Sequence, residues 1–204
     1  MQHLEIEVKF YLKNRTKLRQ DLQRIDAKCD GRVFERNLRF EDAAHNLRKK
    51  GCLLRLRQDK GNILTFKRPF KGPDQGCKVF EEIETKVSDL EATSAILTAL
   101  GYQCVQIYEK WRETFQVGDT VVCIDTMPFG DFIEIEGLAA DIKKLARQLG
   151  FKWEKRILAT YLGLFEALAK AHNLSFVDIT FDNFKPVTNI FDNFWSGFEA
   201  GEVV

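Results

Sequence analysis

The 204-residue chain has almost no net charge: 31 lysines and arginines stand against 30 aspartates and glutamates, a formal +1 at pH 7. A protein that grips nucleic acid through a broad basic field needs a surplus of one sign, so no nucleic-acid partner is expected. The five cysteines (Cys29, Cys52, Cys77, Cys104 and Cys123) form no C-x-x-C pair and are odd in number. That excludes a disulfide framework and a zinc site, and it suits reduced thiols in a cytoplasm. Cys123 has no histidine near it in sequence, so it reads as an inert thiol rather than a nucleophile. His3, His45 and His172 are scattered and suggest no metal site. No run approaches the ~20 apolar residues that cross a bilayer. The N-terminus carries charge from Glu5, against a secretory signal. The expectation is a soluble cytoplasmic protein with no membrane partner.

What the chain does have is charge in an unusual arrangement. Hydrophobic residues make up 45% and charged residues 30% of the sequence, the latter above the usual quarter. The opening Leu4-Glu5-Ile6-Glu7-Val8-Lys9-Phe10 alternates strictly, which is the period of a strand. Further alternating runs follow at 33–41, 52–57, 63–67, 79–87, 108–117, 120–126 and 132–136. A Gly61-Asn62 turn joins two of them as a hairpin. Helical patterns occupy 14–26 behind an Asn14 cap, 89–100 behind a Ser88 cap with Glu91 completing a capping box, 140–149, and 157–171. The helices are not interleaved singly with the strands. That favours an α+β fold with a large antiparallel sheet or barrel of about eight strands over a doubly wound sheet. Residues 1–172 read as one domain. Residues 173–204 form a Phe- and Asp-rich tail that repeats Phe-Asp-Asn-Phe at 181–184 and 191–194. Its role is open between a docking segment, a lid and a dimer contact, so a homodimer stands as one expectation.

Carrying the alternation strand by strand gives nearly every strand one apolar face and one face of like charges at i, i+2. The pairs are Glu5/Glu7, Arg55/Arg57, Glu82/Glu84, Lys110/Arg112 and Glu134/Glu136, with Lys9, Lys67 and Asp125 on the same faces. Like charges ~7 Å apart repel, so the pairing does nothing for the fold alone. A solvated sheet face is the plain explanation of any single pair. The helices are amphipathic too and need the apolar sheet face. If the sheet closes, the charges must point inward, where burial without partners is prohibitive. A water-filled tunnel holding a polyanion and a metal ion resolves the conflict: carboxylates bind a hard divalent cation and Arg and Lys clamp phosphate oxygens.

This order of motifs resembles the CYTH superfamily, the triphosphate tunnel metalloenzymes. The resemblance rests on Glu5-Ile6-Glu7-Val8-Lys9, Leu54-Arg55-Leu56-Arg57, Leu64-Thr65-Phe66-Lys67, Glu82-Ile83-Glu84, Lys110-Trp111-Arg112, Ile124-Asp125 and Gly130 to Glu136, spanning 4 to about 165. The stretch from Glu81 to Glu136 looks most like the class IV adenylate cyclase (CyaB-like) branch. The resemblance implies an eight-stranded antiparallel barrel with helices outside, and Mg²⁺ or Mn²⁺ as cofactor. Glu5, Glu7, Glu134 and Glu136 would supply the main metal carboxylates, with Asp125, Glu82 and Glu84 as additional ligands or water-positioning groups. Lys9, Arg55, Arg57, Lys67, Lys110 and Arg112 would bind the triphosphate. Arg39 stands where relatives often carry Tyr before Phe; it is either an extra phosphate contact or a local replacement. Tyr161, at the start of the last helix, reads as packing. The implied substrate is a triphosphate (ATP, tripolyphosphate or thiamine triphosphate). Hydrolysis is favoured over cyclisation of ATP to cyclic AMP, and a polyphosphate- or nucleotide-binding sensor is the non-enzyme alternative.

Overall fold

The computed structural model describes residues 3–70, 72, 76–187, 194 and 195. Eight strands close into a barrel: β1 (His3–Tyr11), β2 (Lys28–Asp42), β3 (Leu53–Gln58), β4 (Asn62–Pro69), β5 (Lys78–Val87), β6 (Tyr102–Val117), β7 (Thr120–Met127) and β8 (Gly130–Glu136). Around the barrel the order is β1-β5-β4-β3-β2-β6-β7-β8, and every neighbouring pair is antiparallel. Closure leaves no free sheet edge for another chain to pair with, except where strands differ in length. The two-residue Gly118-Asp119 connection between β6 and β7 places Gly118 at φ 57°, a conformation open to glycine at little cost.

The helices α1 (Arg15–Arg24), α2 (Asn46–Lys49), α3 (Leu90–Ala99), α4 (Ala139–Gln148), α5 (Tyr161–His172) and α6 (Phe181–Phe184) lie outside. They pack on the apolar faces that the alternation predicts. Leu18 and Leu22 of α1, with Ile142, Leu145 and Ala146 of α4, meet Val8 and Phe10 of β1, Val122 and Ile124 of β7, and Ile133 and Ile135 of β8. Leu164, Phe165 and Leu168 of α5 pack with Phe129, Phe132, Ile179, Phe184 and Trp195. Leu97 of α3 covers Phe40 and Leu56. Each such fully buried side chain contributes on the order of 1.5–3 kcal/mol of transfer free energy. The apolar outer wall therefore holds the barrel closed around a charged interior. No helix among the described residues is long and apolar enough to cross a membrane.

Three local expectations need correction. Asp89, not Ser88, caps α3: its carboxylate accepts from Ala92 N–H at 2.9 Å. The last long helix begins at Tyr161 rather than 157, because Ile157 is still extended and exchanges backbone bonds with Lys9 (2.7 and 3.3 Å), while Thr160 caps α5. β6 starts at Tyr102, six residues before its clear alternation, since β2 pairs with it through Asp42↔Tyr102. Tail residues 173–187 lie against the second cluster, whereas residues 191–193 of the repeated Phe-Asp-Asn-Phe lie outside the described residues. Asp89→Ala is expected to lower the unfolding free energy by about 1 kcal/mol. Ser88→Ala should change it by less than about 0.5 kcal/mol in the same urea titration.

Candidate functional site

Because Ile6, Val8 and Phe10 of β1 face the helices, Glu5, Glu7 and Lys9 face the interior. Ile133 and Ile135 fix Glu134 and Glu136 of β8 the same way. The β1–β8 register then sets Glu7 opposite Glu136 and Lys9 opposite Glu134. Carboxylate oxygens of Glu5, Glu7 and Glu136 come within 4.8 Å of one another. Burial pushes Glu136 up to about 7, against Arg112 and with the help of Glu134, Glu5 and Glu7. Burial also works to raise Glu7, but Lys9, at 2.5 Å, together with Lys78 and Lys67 outweighs it and holds the carboxyl below its ordinary range. Three crowded carboxylates offering only oxygen match a hard divalent cation, whose charge would relieve their repulsion.

The remaining interior positions complete a cavity of about 390 Å³ lined by charge from seven strands, within the ~300–1,000 Å³ of small-molecule sites. Lys67 bridges Glu5 at 2.5 Å and Glu82 at 3.2 Å. Glu82 is raised to about 7, mainly by burial. Arg55 donates to the Tyr108 hydroxyl (3.3 Å), Thr65 (3.2 Å) and Glu84 (3.4 Å), and Thr65 donates to Glu84 at 2.6 Å. Arg57 reaches Asp59 at 3.0 Å. Arg112 forks onto Asp125 at 2.7 and 2.6 Å and also meets Glu134, while Lys110 meets Asp125 at 2.9 Å. Arg39 lines the same cavity with Glu41 at 3.8 Å. Among the described residues, the Nε atoms of Arg39 and Arg55 are buried without a hydrogen-bond partner. Buried donors in that state are rare in proteins, and here two of them belong to one cavity.

The structure thus gathers Glu5, Glu7, Lys9, Arg39, Arg55, Arg57, Lys67, Glu82, Glu84, Lys110, Arg112, Glu134 and Glu136 on one cavity wall. The acids outside the Glu5–Glu7–Glu136 cluster also have close partners. Glu134 is bonded to Lys9 (2.9 Å) and Arg112, and Glu84 to Thr65 and Arg55. Asp125 is fully buried, with Arg112, Lys110 and Tyr161 on its oxygens. Cys123 is buried as well, and burial pushes its thiol up to about 12.

Four residues of this region escape the sequence reading. Tyr161 is part of the site rather than packing alone: its hydroxyl donates to Asp125 at 2.9 Å, and the ammonium groups of Lys9 and Lys110 lie 5.2 and 5.4 Å from its ring centroid. It comes from a helix, so no strand alternation points to it. Lys78 sits 4.0 Å from Glu7, with its ammonium drawn down to about 7, chiefly by burial and by Lys9. Extending the alternating run at 79–87 by one residue toward the N-terminus would include it. Glu35 shares the inward face of β2 with Asn37 and Arg39, and is 2% exposed with Lys110 at 3.6 Å and Arg112 at 3.8 Å. Tyr108 meets Arg55, as described.

Comparison with known proteins gives a consistent picture. A model of the CYTH domain matches residues 3–159. The chain is 29% identical over 144 residues to "Putative adenylate cyclase MJ0240" of Methanocaldococcus jannaschii, covering 69% of this chain and 81% of that protein. Its fold is similar to that of a Vibrio parahaemolyticus protein (TM-score 0.70, 20% identity, covering 81% of this chain and 99% of that one). PH1819 of Pyrococcus horikoshii gives a TM-score of 0.69 at 23% identity, over 80% of this chain and 99% of that one. HpAC1 of Hippeastrum, a "putative adenylyl cyclase" with a dominant triphosphatase activity, gives 0.56 at 16% identity, over 82% of this chain and 96% of that one.

The charge balance of the interior makes a prediction about acid stability. Burial works to raise Glu35, but Lys110, Arg112, Arg57 and Arg55 outweigh it and hold the carboxyl at about 2, against an ordinary 4.5. A value depressed by folding contributes stability that is present above the unfolded value and lost as the pH falls through the folded one. Glu35→Gln should therefore flatten the loss of stability between about pH 4.5 and about pH 2, measured by urea unfolding across that window.

Proposed function

The chain belongs to the CYTH domain family, and we propose that it is a divalent-metal-dependent enzyme that hydrolyses triphosphate substrates inside its barrel. The observation that carries this reading is the meeting, in one cavity, of the Glu5–Glu7–Glu136 cluster with a wall of lysines and arginines. A triphosphate brings several negative charges and needs both counter-charge and hydrogen-bond donors. Lys9, Lys67, Arg55, Arg57, Lys110 and Arg112 supply them, with Arg39 and Lys78 as further donors on the same wall.

Glu5, Glu7 and Glu136 would hold Mg²⁺ or Mn²⁺, which when bound neutralises phosphate charge and polarises the phosphoryl group under attack. Glu134, Glu84 and Asp125 lie outside the three-carboxylate cluster and, in this reading, hold in place the basic side chains bonded to them. Glu82, bonded to Lys67 on the far side of Glu5, orients the attacking water. Glu7, Lys9, Arg55, Lys110 and Glu134 are buried in the wall, so these charges act at a lower local dielectric than in bulk water.

A second reading, cyclisation of ATP to cyclic AMP with release of pyrophosphate, is favoured by the name of the M. jannaschii relative. Incubation with ATP, tripolyphosphate and thiamine triphosphate under Mg²⁺ and under Mn²⁺, with phosphate, pyrophosphate and cyclic AMP resolved, separates the two. Phosphate is the expected product. Pyrophosphate with cyclic AMP would select the cyclase, and binding without turnover a sensor. Glu7→Gln and Glu136→Gln are each expected to lower kcat at least ~100-fold by removing a metal carboxylate. Arg55→Ala should instead raise KM about tenfold, the loss of one charged hydrogen-bonding partner. Steady-state kinetics on folded variants, checked by circular dichroism, reads both.

A further inference from the structure

β7 pairs with β6 only from Trp111 to Val117, where Trp111 faces Thr126. Before Trp111, β7 leaves the same edge of β6 uncovered, and among the described residues, 177–181 close part of it. Ile179 forms a parallel bridge with Tyr108. Its N–H donates to Ile107 O at 2.8 Å, and its carbonyl accepts from Glu109 N–H at 2.9 Å. The Asp178 carboxylate accepts from Ile107 N–H at 2.8 Å, Val177 O accepts from the Gln106 amide at 2.7 Å, and Glu109 accepts from Phe181 N–H at 3.0 Å. Ile179 is fully buried, and Phe184 and Trp195 anchor the tail in the same cluster.

These bonds fix the backbone on both sides of Tyr108, whose side chain lines the cavity and whose hydroxyl receives Arg55. Arg55 has no short contact of its own: Tyr108, Thr65 and Glu84 lie at 3.3, 3.2 and 3.4 Å, and its Nε has no partner. A guanidinium held so loosely takes its orientation from whatever fixes those partners. We propose that residues 177–181 form a strap that completes the barrel wall beyond the end of β7 and, through Tyr108, positions Arg55 for its ligand. Asp178 and Ile179 are then positioning residues. The family match stops at residue 159, so the strap lies outside the region which that match describes. Its effect on ligand binding rests on the reading of Arg55 as a phosphate contact; its effect on Arg55 itself does not.

Two measurements on the full chain test this. In the first, phenylglyoxal modification of Arg55 is followed by peptide mass spectrometry without ligand. Asp178→Ala should speed it several-fold, and Asp178→Asn, which keeps an oxygen acceptor for Ile107, should leave it near wild type. In the second, tripolyphosphate binding is measured by calorimetry without divalent cation. Asp178→Ala and Tyr108→Phe should each weaken it several-fold, and the double variant should bind no worse than the weaker single one. If Asp178→Ala does not fold, Gln106→Ala loosens the same strap at one side-chain bond and is read in the same way. Unchanged Arg55 reactivity, or losses that multiply in the double variant, overturn the proposal. A wild-type chain that binds no tripolyphosphate while Asp178→Ala still frees Arg55 overturns the triphosphate reading and upholds the strap.

Discussion

Everything in this barrel depends on burying charge without isolating it. Removing a carboxylate or an ammonium from water costs several kcal/mol per ion even after relaxation, and the interior holds Glu7, Lys9, Glu35, Arg55, Lys110, Asp125 and Glu134 at 8% exposure or less. The antiparallel registers answer that cost by pairing signs. Lys9 stands between Glu7 and Glu134, Arg112 spans Asp125 and Glu134, and Lys67 links Glu5 to Glu82. Such pairs are weak evidence for stability, because hydrophobic replacements of the same volume are often as stable. The apolar outer faces under the helices therefore carry the folding free energy, and the interior is a constraint that they support.

The compensation is uneven, and the unevenness has chemical meaning. On the β1–β8 side the carboxylates crowd, so that burial and their mutual repulsion raise Glu136 to about 7. On the β2–β3 side the arginines keep donors without acceptors. An anion satisfies the second side and a hard cation the first. A ligand that presents both at once, a polyanion carrying a divalent metal, fits the whole cavity better than either alone.

Most of this could be read in the chain before its fold. Period-two alternation assigns Glu5, Glu7, Arg55, Lys67, Glu82, Lys110 and Glu134 to the inner face without any knowledge of register, because side-chain direction in a strand is a local property. The division of the acids was not legible. Whether Asp125 is open to a ligand or covered depends on Tyr161, which arrives from α5 and bonds to it across 36 positions of sequence. Tyr108 and the strap are hidden for a similar reason. Val177-Asp178-Ile179-Thr180-Phe181 does alternate like a strand, but five residues do not say which edge they meet, and that edge is there to meet only because β7 ends before it covers β6. The misplaced cap at Ser88 is a local competition in which two adjacent capping residues could each serve, and the chain entry selects Asp89.

The central claim is that one cavity holds a metal ion on its acidic side and phosphates on its basic side at the same time. A crystal structure with Mn²⁺ and tripolyphosphate, with the manganese located by anomalous scattering, tests it most directly. The account predicts manganese coordinated by Glu5, Glu7 and Glu136, with phosphate oxygens on Arg55, Arg57, Lys67 and Arg112. Manganese or phosphate found only on the outer surface, with the interior ion pairs unchanged, would contradict it.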